Sequence, residues 1–109
     1  MLRKFKFDYD YENDGLLLYD PNSKTKASIE MDDFITDYNS KKEVSGIELL
    51  NASIFFKDLG NEIKINKEML KEIQECKVDI LSKNNFLVIK SLLMFKSNKQ
   101  LMTHFIIHQ

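Results

Sequence analysis

Four carboxylates lie close together near the start of the chain, and carboxylates are the side chains that bind hard cations. They are Asp8, Asp10, Glu12 and Asp14. The last three have the alternating spacing that opens a calcium-binding loop. Such a loop requires a bidentate glutamate at its twelfth position, where this chain has Pro21. The sequence therefore favours a solvated hairpin turn over a calcium site.

A second arrangement of carboxylates that could do chemistry is a two-metal site for hydrolysis of phosphate esters. Its candidate ligands are Asp10, Asp14, Asp37 and Glu48. Glu48 stands between Ile47 and Leu49, and a partly buried carboxylate requires a partner such as a lysine or a backbone N–H. We therefore interpret Glu48 as one half of a structural ion pair. We expect no metal and no cofactor, and a metal-dependent hydrolase stays an alternative function.

Neither the histidines nor the cysteine has the setting that catalysis requires. His104 and His108 are four residues apart, which on a strand separates them by about 13 Å, too far for one zinc ion. Cys76 shares an apolar face with Met69 and Ile73, which is typical of a small core residue. The three glycines form no phosphate-binding loop. We therefore predict no catalytic residue and expect that the protein is not an enzyme.

Lysines near the C-terminus are candidates for contact with nucleic acid. They are Lys83, Lys90, Lys96 and Lys99. Residues 1–60 carry 8 basic and 12 acidic side chains, whereas residues 61–109 carry 8 and 5. However, four lysines spread over thirty residues are few for a nucleic-acid-binding surface. The chain also has a single arginine, the residue best suited to bind phosphate groups. We expect nucleic acid not to be a partner, and a nucleic-acid-binding module is a further alternative.

The first half of the chain consists of predicted strands. Alternation of apolar and polar residues places them at residues 5–11, 16–19, 25–31, 34–38 and 44–50. Gly15 can supply a positive φ in the first turn, and the run Asp-Pro-Asn-Ser at 20–23 marks the second. The pattern predicts an antiparallel β-meander.

Two short helices and three strands are predicted in the second half. Asn51 and Asn66 are candidate N-caps, and Gly60 suits the end of the first helix. Met69, Ile73 and Cys76 share one face of the second helix. Strands follow at residues 78–83, 86–95 and 101–108. We predict one α+β domain over residues 1–109, in which a three-stranded antiparallel segment follows the helices.

The strand at residues 86–95 is apolar on both faces. Its even-numbered face carries Phe86, Val88, Leu92 and Met94. A strand buried on both sides requires a covering layer on each. In a chain of this length a second copy can supply one of these layers. We therefore interpret the even-numbered face as a candidate interface and expect a homodimer.

Two segments carry a resemblance to a known family. The run Tyr-Asp-Tyr-Glu-Asn-Asp-Gly-Leu at 9–16 resembles the Tyr-Asp-x-Glu-x-Asp-x-Leu opening of a widespread prokaryotic family of small domains of unknown function. Residues 46–53 are similar to its closing signature, Gly-Ile-Glu-x-Leu-x-Ala-Ser. Tyr11 stands where most members have proline. The resemblance covers about residues 5–56, and the helix and three strands of residues 61–109 resemble the extension of longer, archaeal members.

The family implies no activity, cofactor or catalytic residue. Its members are often encoded beside small toxin-like proteins, which implies an antitoxin-like or regulatory role in binding a protein partner. No apolar run approaches the roughly 20 residues that span a bilayer, and a single cysteine excludes an internal disulfide. We therefore expect a non-catalytic cytoplasmic domain without a membrane segment, which acts through protein–protein contacts.

Overall fold

The computed structural model describes residues 1–59 and 64–108. These residues form eight strands and two helices: β1 (Arg3–Asp10), β2 (Gly15–Tyr19), β3 (Ala27–Met31), β4 (Phe34–Tyr38), β5 (Val44–Leu49), α1 (Ala52–Asp58), α2 (Lys67–Leu70), β6 (Ile73–Ser82), β7 (Phe86–Phe95) and β8 (Gln100–His108). Gly60, the predicted end of the first helix, lies outside the described residues. Neither described helix is long and apolar enough to cross a membrane.

The described strands join into a single antiparallel sheet, which overturns the predicted α+β class. The strand order is β3-β4-β5-β2-β1-β6-β7-β8, and the helices contribute only seven and four residues. The fold is therefore mainly β. The physical reason is that β1 pairs on both edges, with β2 and with β6, and so connects the two halves of the chain.

The predicted β-meander is also wrong, because β2 does not pair with β3. Its neighbour on that side is β5, through the pairs Leu16 with Leu49 and Leu18 with Ile47. The connection at 20–26 carries the chain past two strands before β3 begins at the far edge. Apolar alternation identifies strands and their buried faces, but it carries little information on which strands pair.

The second helix is shorter than predicted, and two of its expected residues belong to a strand. Ile73 and Cys76 lie in β6, opposite Phe95 and Leu93 of β7. A shift of register between Ile73 and Glu75 places two residues three positions apart on the same buried face. This irregularity imitates the spacing of a helix. Cys76 is a buried core residue, as predicted.

The sheet curls because an aromatic cluster joins its two wings. Phe34 of β4 stacks on Phe105 of β8 with 5.8 Å between ring centres. Phe55 of α1 meets both rings edge-on, at 5.3 Å and 5.0 Å, and Phe56 beside it is fully buried. Helix α1 therefore packs inside the curl and closes one end of it.

Strand β7 is buried on one face only, and not on both as the sequence suggested. Its odd-numbered face, with Leu87, Ile89 and Leu93, belongs to the core. The even-numbered face points out of the curl and is half-buried along its whole length. Within the single chain this outer face has no covering layer of helix or sheet among the described elements.

We expect Gly46→Ala to destabilise the fold more than Gly15→Ala does. A Cβ at Gly46 would lie 3.2 Å from both Asp37 Oδ2 and the Leu18 carbonyl oxygen, whereas at Gly15 it would meet only Glu48 Oε1, at 3.6 Å. Overpacking of this kind costs about 1–3 kcal/mol. Urea unfolding measures both variants, and equal losses would show that the close approach at Gly46 is not a constraint.

Candidate functional site

The carboxylate of Asp14 forms a dense polar network. Its Oδ1 accepts a hydrogen bond from the Tyr9 hydroxyl at 2.6 Å, and its Oδ2 accepts one from the Ser53 hydroxyl at 2.6 Å. The backbone N–H of Ser53 lies 3.1 Å from both oxygens. Asp14 also accepts the N–H of Ala52 on its own carbonyl oxygen, at 2.8 Å. The β1–β2 turn is thereby bound to the start of α1.

Asp14 acts as the N-cap of α1 although it lies far from the helix in sequence. Asn51 occupies the N-cap position, as predicted, but it has a left-handed backbone (φ 52°) and makes no capping hydrogen bond with its side chain. The carboxylate of Asp14 takes over this role and faces the positive end of the helix. Asn66 caps α2 in the predicted way, because its side chain accepts the N–H of Met69 at 2.8 Å.

The backbone of the β1–β2 turn places Asp14 in this position. The positive φ of the turn falls on Asp14 (55°) and not on Gly15 as predicted. Aspartate tolerates this conformation better than most residues. Burial, followed by the hydrogen bond to Asp14 and its charge, raises the pKa of Tyr9 above its usual value. Tyr9 therefore remains a hydrogen-bond donor to Asp14 at neutral pH.

Three of the four carboxylates proposed for a metal site have separate local partners. Asp14 binds Ser53 and Tyr9, Asp10 accepts two hydrogen bonds from Asn13 within the turn, and Asp37 accepts one from Ser28. Glu48 is half-buried on the outer side of β5, and the described residues supply no salt bridge to it. Among residues 1–59 and 64–108, no three His, Cys, Asp or Glu side chains are arranged to hold a metal ion.

The four lysines proposed for nucleic acid lie apart. Lys83 follows β6 at one end of the sheet, whereas Lys96 and Lys99 are in the β7–β8 turn at the other end. Lys90 lies between them on the outer face of β7. The length of β7 separates the two ends by roughly 30 Å. The fold therefore does not gather these lysines into one patch.

The proposed interface residues do share one surface. The outer sides of β6, β7 and β8 form a continuous face, hereafter the outer C-terminal face. Phe86, Val88, Leu92 and Met94 run along its middle strand. Sequence reasoning missed the neighbours that extend it, Leu81 on β6 and Met102 and Ile106 on β8, although alternation in β8 places the last two on one side.

Tyr11, which stands where the resembled signature has proline, connects the first half of the chain to the second. Its hydroxyl donates a hydrogen bond to Glu68 of α2. The amines of Lys67 and Lys71 each lie 4.6 Å from the centre of its ring. The side chain of Tyr11 therefore holds α2 against the β1–β2 turn.

We expect Asp14→Asn to destabilise the protein by about 1–3 kcal/mol, because an amide replaces an acceptor that three donors share. Asparagine keeps the tolerance for a positive φ, so the variant isolates the loss of acceptor capacity. Asp10→Asn, in the same turn but exposed, is the matched control, and we expect it to change stability by less than about 0.5 kcal/mol. Thermal or urea unfolding compares the pair; similar effects would contradict the assigned role of Asp14.

Comparison with known proteins gives matches of two kinds. Residues 6–53 match a family described as a protein of unknown function, DUF2283. Over 53 residues the chain is 49% identical to an uncharacterised protein of Methanocaldococcus jannaschii. This match covers 49% of this chain and 46% of that protein. Over 87 residues it is 33% identical to a Methanosarcina mazei protein provisionally named hypoxanthine phosphoribosyltransferase, covering 78% of this chain and 65% of that protein.

The matched segments span less than two thirds of the length of either relative. No solved structure matches the chain. The family match contains both signature segments, from Tyr9 to Leu16 and from Gly46 to Ser53, and the matched relatives are archaeal. The predicted resemblance is confirmed: residues 6–53 of the chain match the DUF2283 family of proteins of unknown function.

Proposed function

We propose that this protein is a non-catalytic cytoplasmic domain that acts through protein–protein contacts, and that its outer C-terminal face binds a second copy of the chain. The observation that carries the proposal is the exposure of large apolar side chains on that face. Ile106 is 54% exposed, Leu81 50% and Met102 41%. Contiguous apolar surface of this kind is typical of interaction sites.

The apolar residues lie in cross-strand rows. Leu81, Val88 and Ile106 are opposite one another across β6, β7 and β8, and Leu92 and Met102 form a second row four residues along the strands. The three strands give a face roughly 15 Å wide and 30 Å long. Two such faces would bury roughly 900 Å² together, which is the size of a weak protein–protein interface.

The charges on the outer C-terminal face favour a second copy over a strongly charged partner. The face carries Lys77 and Lys90 together with Glu75 and Asp79, and Asp79 lies directly opposite Lys90 in the sheet. The two carboxylates form their ion pairs with neighbouring cations at the edge of the face, Asp79 with the N-terminal amine and Glu75 with Lys4. A two-fold interface presents the same surface to itself, so a face of one sign would repel its copy. A balanced face avoids this repulsion and leaves the apolar rows to supply the binding energy.

The enzyme name of the Methanosarcina relative does not alter this proposal. The matched segment covers 65% of that protein, and an activity of the whole protein does not transfer with part of it. In this chain, Asp14 and Asp37 are engaged in hydrogen bonds that hold secondary structure together. These engagements support a binding role over a catalytic one.

We expect the native chain to have about twice its monomer mass of 12.9 kDa by light scattering behind a sizing column. Ile106→Asp is expected to raise the dissociation constant by at least roughly tenfold, because a buried unpaired carboxylate would replace an apolar contact. Ile54→Asp is the matched control: Ile54 is 56% exposed but lies on α1, away from the face. We expect this variant to remain a dimer.

Two results would contradict the proposal. One is a native chain that stays monomeric up to the concentrations at which NMR spectra are recorded. The other is a dimer that Ile54→Asp and Ile106→Asp weaken equally, which would move the interface elsewhere. High salt is expected to leave the dimer intact, because apolar contacts are not screened.

A further inference from the structure

The curled sheet is open at the end where β1, β5 and β7 begin, and a cavity of about 460 Å³ lies in that opening. We call it the mouth cavity. Its lining includes Arg3 of β1, Tyr38 of β4, Lys42 of the β4–β5 turn, Val44 of β5 and Ile80 of β6. These residues come from four strands and a turn that are distant in sequence. The curl of the sheet alone brings them together.

The mouth cavity combines an apolar wall with a few charged groups. Val44 and Ile80 are partly buried apolar residues, and the ring of Tyr38 stands beside them. Sites for small molecules have volumes of roughly 300–1,000 Å³, are largely apolar, and occur at the mouths of β-barrels. The size and place of this cavity agree with that description, whereas its lining is about evenly divided between polar and apolar surface.

The turn that carries Lys42 is held rigidly. The Asn39 side-chain oxygen accepts the N–H groups of Lys41 and Glu43, at 2.9 and 3.0 Å. The Asn39 carbonyl accepts the N–H of Lys42 at 3.0 Å. Lys42 itself has a left-handed backbone (φ 63°), a conformation that is costly for a residue with a side chain. The hydrogen bonds of Asn39 hold this conformation and keep Lys42 at the cavity.

The Lys42 amine at the mouth cavity is available to an anion, whereas the Arg3 guanidinium is already paired with Asp20 and lies 5.7 Å from the centre of the Phe5 ring. In the described part of the chain, no carboxylate lies within salt-bridge distance of the Lys42 amine. Arg3 is oriented by Asp20 at 3.6 Å but is more than half exposed. Glu43, the carboxylate in the lining, accepts a hydrogen bond from Asn39 at 3.3 Å. Further lysines surround this end of the sheet: Lys24, Lys26, Lys41 and Lys83. Their field attracts anions.

We propose that the mouth cavity is a binding site for a small organic anion, with an aromatic or aliphatic body against Val44 and Ile80 and a phosphate or carboxylate group held by Arg3 and Lys42. The guanidinium of Arg3 matches the planar geometry of either group, and the Lys42 amine adds a charge-assisted hydrogen bond. This site is separate from the outer C-terminal face, and neither proposal depends on the other.

The test is a titration of the ¹⁵N-labelled full chain with 1-naphthyl phosphate, followed by amide chemical shifts. We expect saturable shifts at residues 38–44 and 80–82, and weaker binding of the neutral analogue 1-naphthol by at least roughly tenfold. Parallel titrations with 1-naphthoate and inorganic phosphate distinguish the two anionic groups and show the contribution of the apolar body.

The matched variants are Lys42→Gln and Lys41→Gln, adjacent in the same turn. Lys42 lines the mouth cavity, whereas Lys41 lines a separate polar cleft beside it. We expect Lys42→Gln to weaken binding of 1-naphthyl phosphate by roughly tenfold, and Lys41→Gln to change it by less than about twofold. The proposal is overturned if no saturable shifts occur at millimolar ligand, if 1-naphthol binds equally well, or if the two variants weaken binding equally.

Discussion

The fold depends on one buried carboxylate that connects two distant segments. Asp14 binds the start of α1 through Ser53 and Ala52, and it also fixes the ring of Tyr9 on β1. Because α1 carries Phe55 into the aromatic cluster that joins the wings of the sheet, the position of this helix determines the curl. A carboxylate left without these donors would be costly at this depth. The hairpin, the helix and the curl therefore stabilise one another.

This constraint explains the family signature without reference to catalysis. The signature residues Leu16, Ile47 and Ala52 are fully buried. A side chain at Gly46 would be crowded by Asp37, Leu18 and Tyr19, and Asp14 is the remote cap. A shared signature of this kind specifies a scaffold. The surfaces proposed for binding use residues outside the closing and opening motifs: the outer C-terminal face belongs to the extension, and the mouth cavity uses Arg3 and Lys42. Function can thus differ among proteins that share the scaffold.

The parts of the structure that follow from local pattern were predictable from the sequence. Strand β7 has the predicted bounds, and β8 begins one residue earlier than expected, because apolar alternation reports burial directly. The pairing of β1 with β6 was not predictable, since it joins residues about 70 positions apart and leaves no local signal. The shifted register at Ile73 places Ile73 and Cys76 on one buried face with the spacing of a helix, so the sequence predicted a helix where β6 begins. The Asp14–Ser53 contact joins the two signature segments. The resemblance of these segments to a known family did not show that they touch each other.

The most direct test of the central claim, that Asp14 holds α1 in place, is amide hydrogen exchange of the native chain at Ser53. If the carboxylate caps the helix, the Ser53 N–H exchanges only when the whole domain unfolds, with protection close to that of the core amides of β2 and β5. If this amide instead exchanges as fast as those of an exposed helix end, the cap does not hold α1, and the curl of the sheet has another cause.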